Sequence, residues 1–155
     1  MSDHKIQSYI KGALKEKIAE PEVMVKVLNA ERTFWEKATI LHQYAHLPKE
    51  KALPARISRH HYDFFCLLNS KVKDKAIADQ DLLERVAVHK GIYFASAWAS
   101  YETARKGSLK LSPPQRIVAD LKRDFGLMKD MFFGPVPEWN DVLNAIEKFE
   151  ADFNR

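Results

Sequence analysis

The 155-residue chain carries 25 Lys and Arg against 21 Asp and Glu, a formal net charge of +4, and 46% hydrophobic residues. Such a length and composition suit one globular domain with a real core, and no apolar run reaches the roughly 18 residues a membrane helix needs. The mild positive charge permits contact with phosphates, nucleotides or RNA without demanding it, and a single cysteine, Cys66, excludes an intrachain disulfide.

The N-terminus, MSDHKIQSYIKG, has no apolar stretch of the signal-peptide kind, so the expectation is a soluble, cytoplasmic protein without a membrane partner. Ile6, Ile10, Leu14 and Ile18 recur every four residues and predict an amphipathic helix over 4–18, ended by Pro21. VMVKVL at 23–28 is the strongest strand signal, short, β-branched and apolar on both faces. It reads as an orphan, because no second strand is evident to satisfy its backbone groups.

The second helix is expected from 29 or 30 to about 46, with Phe34, Ala38, Leu41 and Ala45 as its stripe and Pro48 as its stop. The third, about 56–70, turns Ile57, His61, Phe64 and Leu68 to the core and Arg56, Arg59, His60 and Asp63 to the other side. The fourth is expected to be the longest, about 81–106, with Asp81 and Glu84 as a capping box and Gly107 as its C-terminal cap. Its stripe Phe94, Ala97, Trp98, Tyr101 reads as core in preference to a base-stacking platform, since helical spacing accounts for it. Ser112, Pro113 and Gln115 mark the next helix start, with a break or kink at Gly126. A GPVP turn at 134–137 precedes a last helix, about 138–153, with the stripe Trp139, Val142, Ile146, Phe149, Phe153. The fold class is therefore mainly α: one domain over 1–155, a bundle of about six helices with one short N-terminal strand. Five glycines and the absence of GxGxxG, P-loop or CxxC patterns agree with it.

Four features could carry chemistry. Lys37, beside Glu36, supplies a flexible point charge suited to a phosphate; the plainer reading is a solvated lysine paired with Glu36 or another neighbour. The Arg56, Arg59, His60, Asp63 face could hold an anion; the plainer reading is an i, i+4 pair of Arg59 with Asp63. His42 and His46 share a zinc-compatible spacing, but no HExxH and no supporting cysteine accompany them, so no metal ligand is assigned. Cys66, within DFFCLLN, reads as a small core residue in preference to a nucleophile.

VKVLNAERTFWEKATILHQYAHLP, then RISRHHYDFFCLLNS, HKGIYFASAWASYETARKGSLKL and MKDMFFGPVPEWNDVLNAIEKFEADFNR, resemble the C-terminal half of AbiEii/AbiGii-type nucleotidyltransferase toxins from about residue 22 onward. That resemblance implies a toxin of a bacterial abortive-infection or toxin–antitoxin system, some members of which transfer nucleotides to tRNA. It implies Mg and NTP as requirements of the full-length family, and a cognate antitoxin as partner. Lys37 in FWEK matches the lysine thought to contact the nucleotide, Asp63 in RHHYD matches the aspartate on the next helix, and Arg59 the basic residue before it. His60 departs from the pattern, standing where many relatives carry an acidic residue.

The family's glycine–serine or glycine–threonine motif and an upstream DxD pair do not occur ahead of the helices. The expectation is a helical part without the metal-binding catalytic half, inactive by itself and without cofactor. Lys37 and Asp63 are the expected catalytic residues, with Lys37, Arg56, Arg59 and His60 on the phosphates. The orphan strand would then belong with the transferase domain, and residues 23–28 would be unsettled or would mediate a homo-oligomer. The alternatives are a stand-alone helical module that binds nucleotide, RNA or antitoxin, and a structural dimer.

Overall fold

The computed structural model describes residues 1–6, 23–132 and 134–155. Among them are two strands and six α-helices, so the fold is mainly α, as the periodicity indicates. The chain divides into two compact units, Met1–Ala30 and Glu31–Arg155.

In the first unit, β1 (Ser2–Ile6) pairs antiparallel with β2 (Val23–Val27), in a register that sets Ser2 opposite Val27 and Ile6 opposite Val23. The VMVKV strand is thus no orphan. Its partner comes from residues whose isoleucine spacing suggested a helix over 4–18; positions 4–6 are extended, and 7–18 lie outside the described residues. Backbone pairing explains the difference, because a strand leaves its N–H and C=O groups unsatisfied until a second strand arrives, whatever that strand's own propensity. Ser2 Oγ donates to Asn29 Oδ1 at 3.0 Å, tying the start of β1 to the residue just beyond β2. Ile6, Val23, Met24 and Val27 are all exposed, so among the described residues nothing covers β2 on both faces.

In the second unit, α1 (Ala30–Ala45) buries Phe34, Trp35, Ala38 and Leu41. Their neighbours come from α2 (Ser58–Leu68) and α6 (Trp139–Phe153): the Phe34 ring lies 4.9 Å from that of Phe64 and 5.6 Å from that of Phe149, and Trp35 lies 5.3 Å from Phe153. Edge-on and tilted ring pairs of this kind add directional attraction to the burial of large apolar area. The Trp35 indole donates to the Ala76 carbonyl at 3.1 Å and so anchors α3 (Val72–Ala78), a short helix that sequence periodicity does not disclose. On α2 the expected core face of Ile57, His61, Phe64 and Leu68 is buried, and the five-residue stripe of α6 is buried throughout.

The expected fourth helix is shorter than its pattern. α4 (Gln80–Tyr93) is capped by Asp79, whose carboxylate accepts from Leu82 N at 3.1 Å, in place of the Asp81 capping box. The chain then leaves the helix, Ser100 adopts φ 50°, and a single 3-10 turn covers Tyr101–Thr103. Gly107 has φ 86° but sits in a turn beyond it. A tertiary contact holds this segment: buried His42 on α1 donates from Nε2 to the Ser100 carbonyl at 2.9 Å and accepts the Lys110 amide on Nδ1 at 3.0 Å. The Ser100 carbonyl also accepts the Thr103 amide at 2.9 Å, so one oxygen closes the 3-10 turn and fastens it to α1. Ala99 and Tyr101 are buried and Trp98 packs against the core, but Phe94 and Ala97 are exposed, contrary to the core reading of that stripe.

α5 (Gln115–Leu127) begins two residues later than the Ser112 cap implied and runs through Gly126 without a break. Ser112 is instead bound to α6, where its amide and hydroxyl both donate to Glu150, at 2.7 and 3.0 Å, and Leu111 N donates to the same oxygen. Asn154 exchanges two hydrogen bonds with Leu109. Within 109–112 Leu109 and Leu111 are buried, and the backbone is bound by the Glu150 and Asn154 side chains and, at Lys110, by His42, as a non-helical core segment requires.

Candidate functional site

Lys37 projects from α1, next to the buried Phe34 and Ala38, and points to the polar flank of α2. Its ammonium donates to Asp63 Oδ2 at 2.7 Å and to His60 Nδ1 at 3.2 Å. The expected approach of Lys37 and Asp63 is therefore present. Lys37 is thus paired with a neighbour, but that neighbour is Asp63: Glu36 binds Arg32 at 3.1 Å, and no Arg59–Asp63 pair is found among the described residues. Lys37 is 22% exposed and Asp63 40%, so the pair is reachable from solvent and adds little to stability by itself.

Because Lys37 can only donate, His60 Nδ1 accepts, and the ring proton sits on Nε2 as a free donor. Burial, then the neighbouring Lys37 and Arg59, push the His60 pKa down to about 4, so the ring is neutral at physiological pH. Arg59 is exposed. Arg56 departs from the expected stripe. It precedes α2, in a turn with φ 64°, and its amide donates to Asp124 Oδ1 at 2.7 Å. Asp124, on α5, also takes the Ser58 amide and hydroxyl, at 2.9 and 2.6 Å, and so caps α2 from outside the helix. Burial raises the Asp124 pKa, but the hydrogen bonds from Ser58 and Arg56 outweigh it and hold the carboxyl below its ordinary range.

Sequence reasoning missed two contributors. Lys90 on α4 is half-buried, and burial lowers its proton affinity, with Glu36, Lys37 and Arg32 acting on it electrostatically. Its ammonium lies 4.7 Å from the centre of the Phe94 ring. Arg32 joins through Glu36. Only the proximity of Glu36 to Lys37 was visible in sequence; nothing in the helical pattern of α4 singles out Lys90. Together Arg32, Lys37, Arg59 and Lys90 face only two carboxylates, Glu36 and Asp63, so the cluster carries an excess of two positive charges.

That composition suits an anion and not a divalent cation. Asp63 is already bound by Lys37, and among the described residues no group of three or more His, Cys, Asp or Glu side chains is placed to hold a metal ion. Both His42 ring nitrogens are spent on the protein, and His46 Nδ1 donates to the His42 carbonyl at 2.8 Å, so the i, i+4 pair is structural. Cys66 is exposed, not core, because it lies off the Ile57, His61, Phe64, Leu68 face of α2. A separate cavity of about 690 Å³, walled by Ala87, Gly91, Tyr101 and Arg105 among others, does not include Lys37, His60 or Asp63.

Among the described residues, no helix is long and apolar enough to cross a membrane. No individual curated protein and no solved structure gives a significant match. One family model, "Nucleotidyl transferase AbiEii toxin, Type IV TA system", matches residues 2–153, which takes in the β1–β2 hairpin as well as the helices. With that match over nearly its whole length, the chain belongs to the AbiEii nucleotidyl transferase toxin family of type IV toxin–antitoxin systems.

Proposed function

We propose that this chain supplies the cationic, nucleotide-facing part of a nucleotidyl transfer site, with Lys37 and Asp63 at its centre. The observation that carries the reading is the Lys37–Asp63–His60 contact set inside a cluster with two surplus positive charges. In nucleotidyl transfer an acceptor hydroxyl forms a bond to the α-phosphorus, the bond to the bridging oxygen breaks, and pyrophosphate leaves with the developing negative charge. Lys37 neutralises that charge, Asp63 holds the ammonium in place, and the His60 Nε2–H donates to a phosphate oxygen. Arg59 adds long-range attraction from the exposed flank of α2.

The metal that such a transferase uses does not fit this donor set. Gly107–Ser108 and Asp79-x-Asp81 lie within the helical part, and no glycine–serine or glycine–threonine motif and no DxD pair occurs ahead of the helices. Magnesium and the hydroxyl-activating carboxylates therefore belong to a separate part of the working enzyme. Partners of the site are an NTP and an RNA acceptor such as tRNA, and the family description implies an antitoxin.

The test has two arms. A fluorescent ATP analogue is expected to bind this chain at low salt, and Lys37→Ala to weaken it about tenfold or more, the scale of one charge-assisted phosphate contact. Incubation with labelled NTP, magnesium and bulk tRNA is expected to yield no labelled RNA. Nucleotide binding indifferent to Lys37→Ala removes the site; label incorporation that depends on Lys37 or Asp63 removes the claim that the metal-bearing half lies elsewhere.

A further inference from the structure

The last turns of α4 carry aromatic rings that the core does not use. Leu83, Val86 and Ala87 face inward, yet the helix has a second apolar face of Val88, Ile92 and Tyr93, continued by Phe94. Tyr93 is 71% exposed and Phe94 58%. A helix apolar on two sides normally has something against each side. Here the outer face is organised: the His89 ring lies 4.7 Å from that of Tyr93, and the Lys90 ammonium sits over Phe94. Lys90 makes no ion pair among the described residues, while Glu36, Lys37 and Arg32 act on it electrostatically. Exposed rings and an unpaired cation thus run continuously into the Lys37 cluster.

We propose that the Lys90–Phe94 end of α4 is a stacking platform for the unpaired end of the acceptor nucleic acid, delivering it to the Lys37 site. Bases stack on exposed Tyr and Phe faces without regard to sequence, and the backbone follows the cations. Charge decides the occupant. A second copy of this chain would bring the same surplus of positive charge to the patch, whereas a nucleic-acid strand brings phosphates. Toward the N-terminal end of α4 the face carries Asp81 and Glu84 with Arg85 beside Val88, a net negative charge that favours the C-terminal turns for the strand. The proposal rests on the nucleotide-site reading above, and its readouts are separate from that reading.

The test uses the full chain with a fluorescein-labelled ten-nucleotide single-stranded RNA, the same sequence as a duplex, and the fluorescent ATP analogue. Tyr93→Ala with Phe94→Ala is expected to weaken single-strand binding between about five- and 150-fold. Duplex and ATP-analogue affinities stay unchanged, and Phe94→Trp retains single-strand binding because it keeps a ring face. Lys90→Met is expected to lower the slope of log affinity against log salt by about 0.7. Single-strand affinity indifferent to the alanine pair overturns the platform. So does a drop in molar mass by light scattering in the alanine pair with RNA affinity unchanged, which assigns the patch to a second copy. Loss of the Lys37 dependence of ATP-analogue binding, with the ring dependence of RNA binding intact, sinks the nucleotide reading and leaves the platform standing.

Discussion

His61 shows how one buried side chain sets an acid limit on the molecule. It lies in the core against Trp139, at 5.4 Å between ring centres, and its Nδ1 has no hydrogen-bond partner among the described residues. Burial pushes its pKa down to about 4, from an ordinary 6.5 in the unfolded chain. The unfolded chain therefore takes up a proton as pH falls through 6.5, while the folded chain resists until about 4. Stability is expected to be constant above the upper value, to fall between the two, and to level off below the lower one. For a fully buried imidazole the loss is on the order of 3 kcal/mol. Urea midpoints measured from about pH 7.5 to about pH 4 check this, and His61→Phe should flatten the profile because the apolar ring has no proton to exclude. An unchanged slope in His61→Phe would assign the acid sensitivity to His60 or His42, whose pKa values burial also lowers.

At the scale of elements, long-range side chains stand in for local caps. α2 has no capping side chain of its own, and Asp124 of α5 closes its first turn. Asp124→Ala leaves the Ser58 and Arg56 amides without an acceptor and removes what holds Arg56 at φ 64°. The expected cost is about 1–2 kcal/mol, read as a lowered urea midpoint with an unchanged m-value. Since α2 carries His60 and Asp63, ATP-analogue binding should weaken in the same variant. The β1–β2 hairpin makes the opposite case. Its backbone pairs locally, but Ile6, Val23, Met24 and Val27 remain in solvent, and a two-stranded sheet keeps unpaired outer edges. Met24→Lys with Val27→Lys is expected to lower the weight-average mass at high concentration and to leave helical circular dichroism intact. A wild-type chain that scatters as a monomer up to about 100 μM, where weak pairing through a small surface becomes visible, dismisses hairpin-mediated association.

For the whole molecule, the sequence alone determined the helical class and the inward faces of α1, α2 and α6. Each is a single amphipathic stripe, and a stripe has one way to bury itself. It also determined that Lys37 and the Arg59–Asp63 face lie on successive helices joined by a short loop, from which their approach followed. Tertiary structure decided the rest, through partners that no local window contains. β1 became a strand because β2 needed hydrogen bonds, although Ile6 opens a series with helical spacing in the sequence. The helix expected over 81–106 ends at Tyr93, and the segment beyond it is fastened to α1 through His42 and the Ser100 carbonyl. Ser112 lost its role as a cap to Glu150, and Arg56 left the α2 stripe for Asp124. Phe94 had the spacing of a core residue, but a helix stripe shows only which residues share a face. Whether anything packs against that face depends on where the other helices lie, and in this protein they leave the end of α4 open beside Lys90.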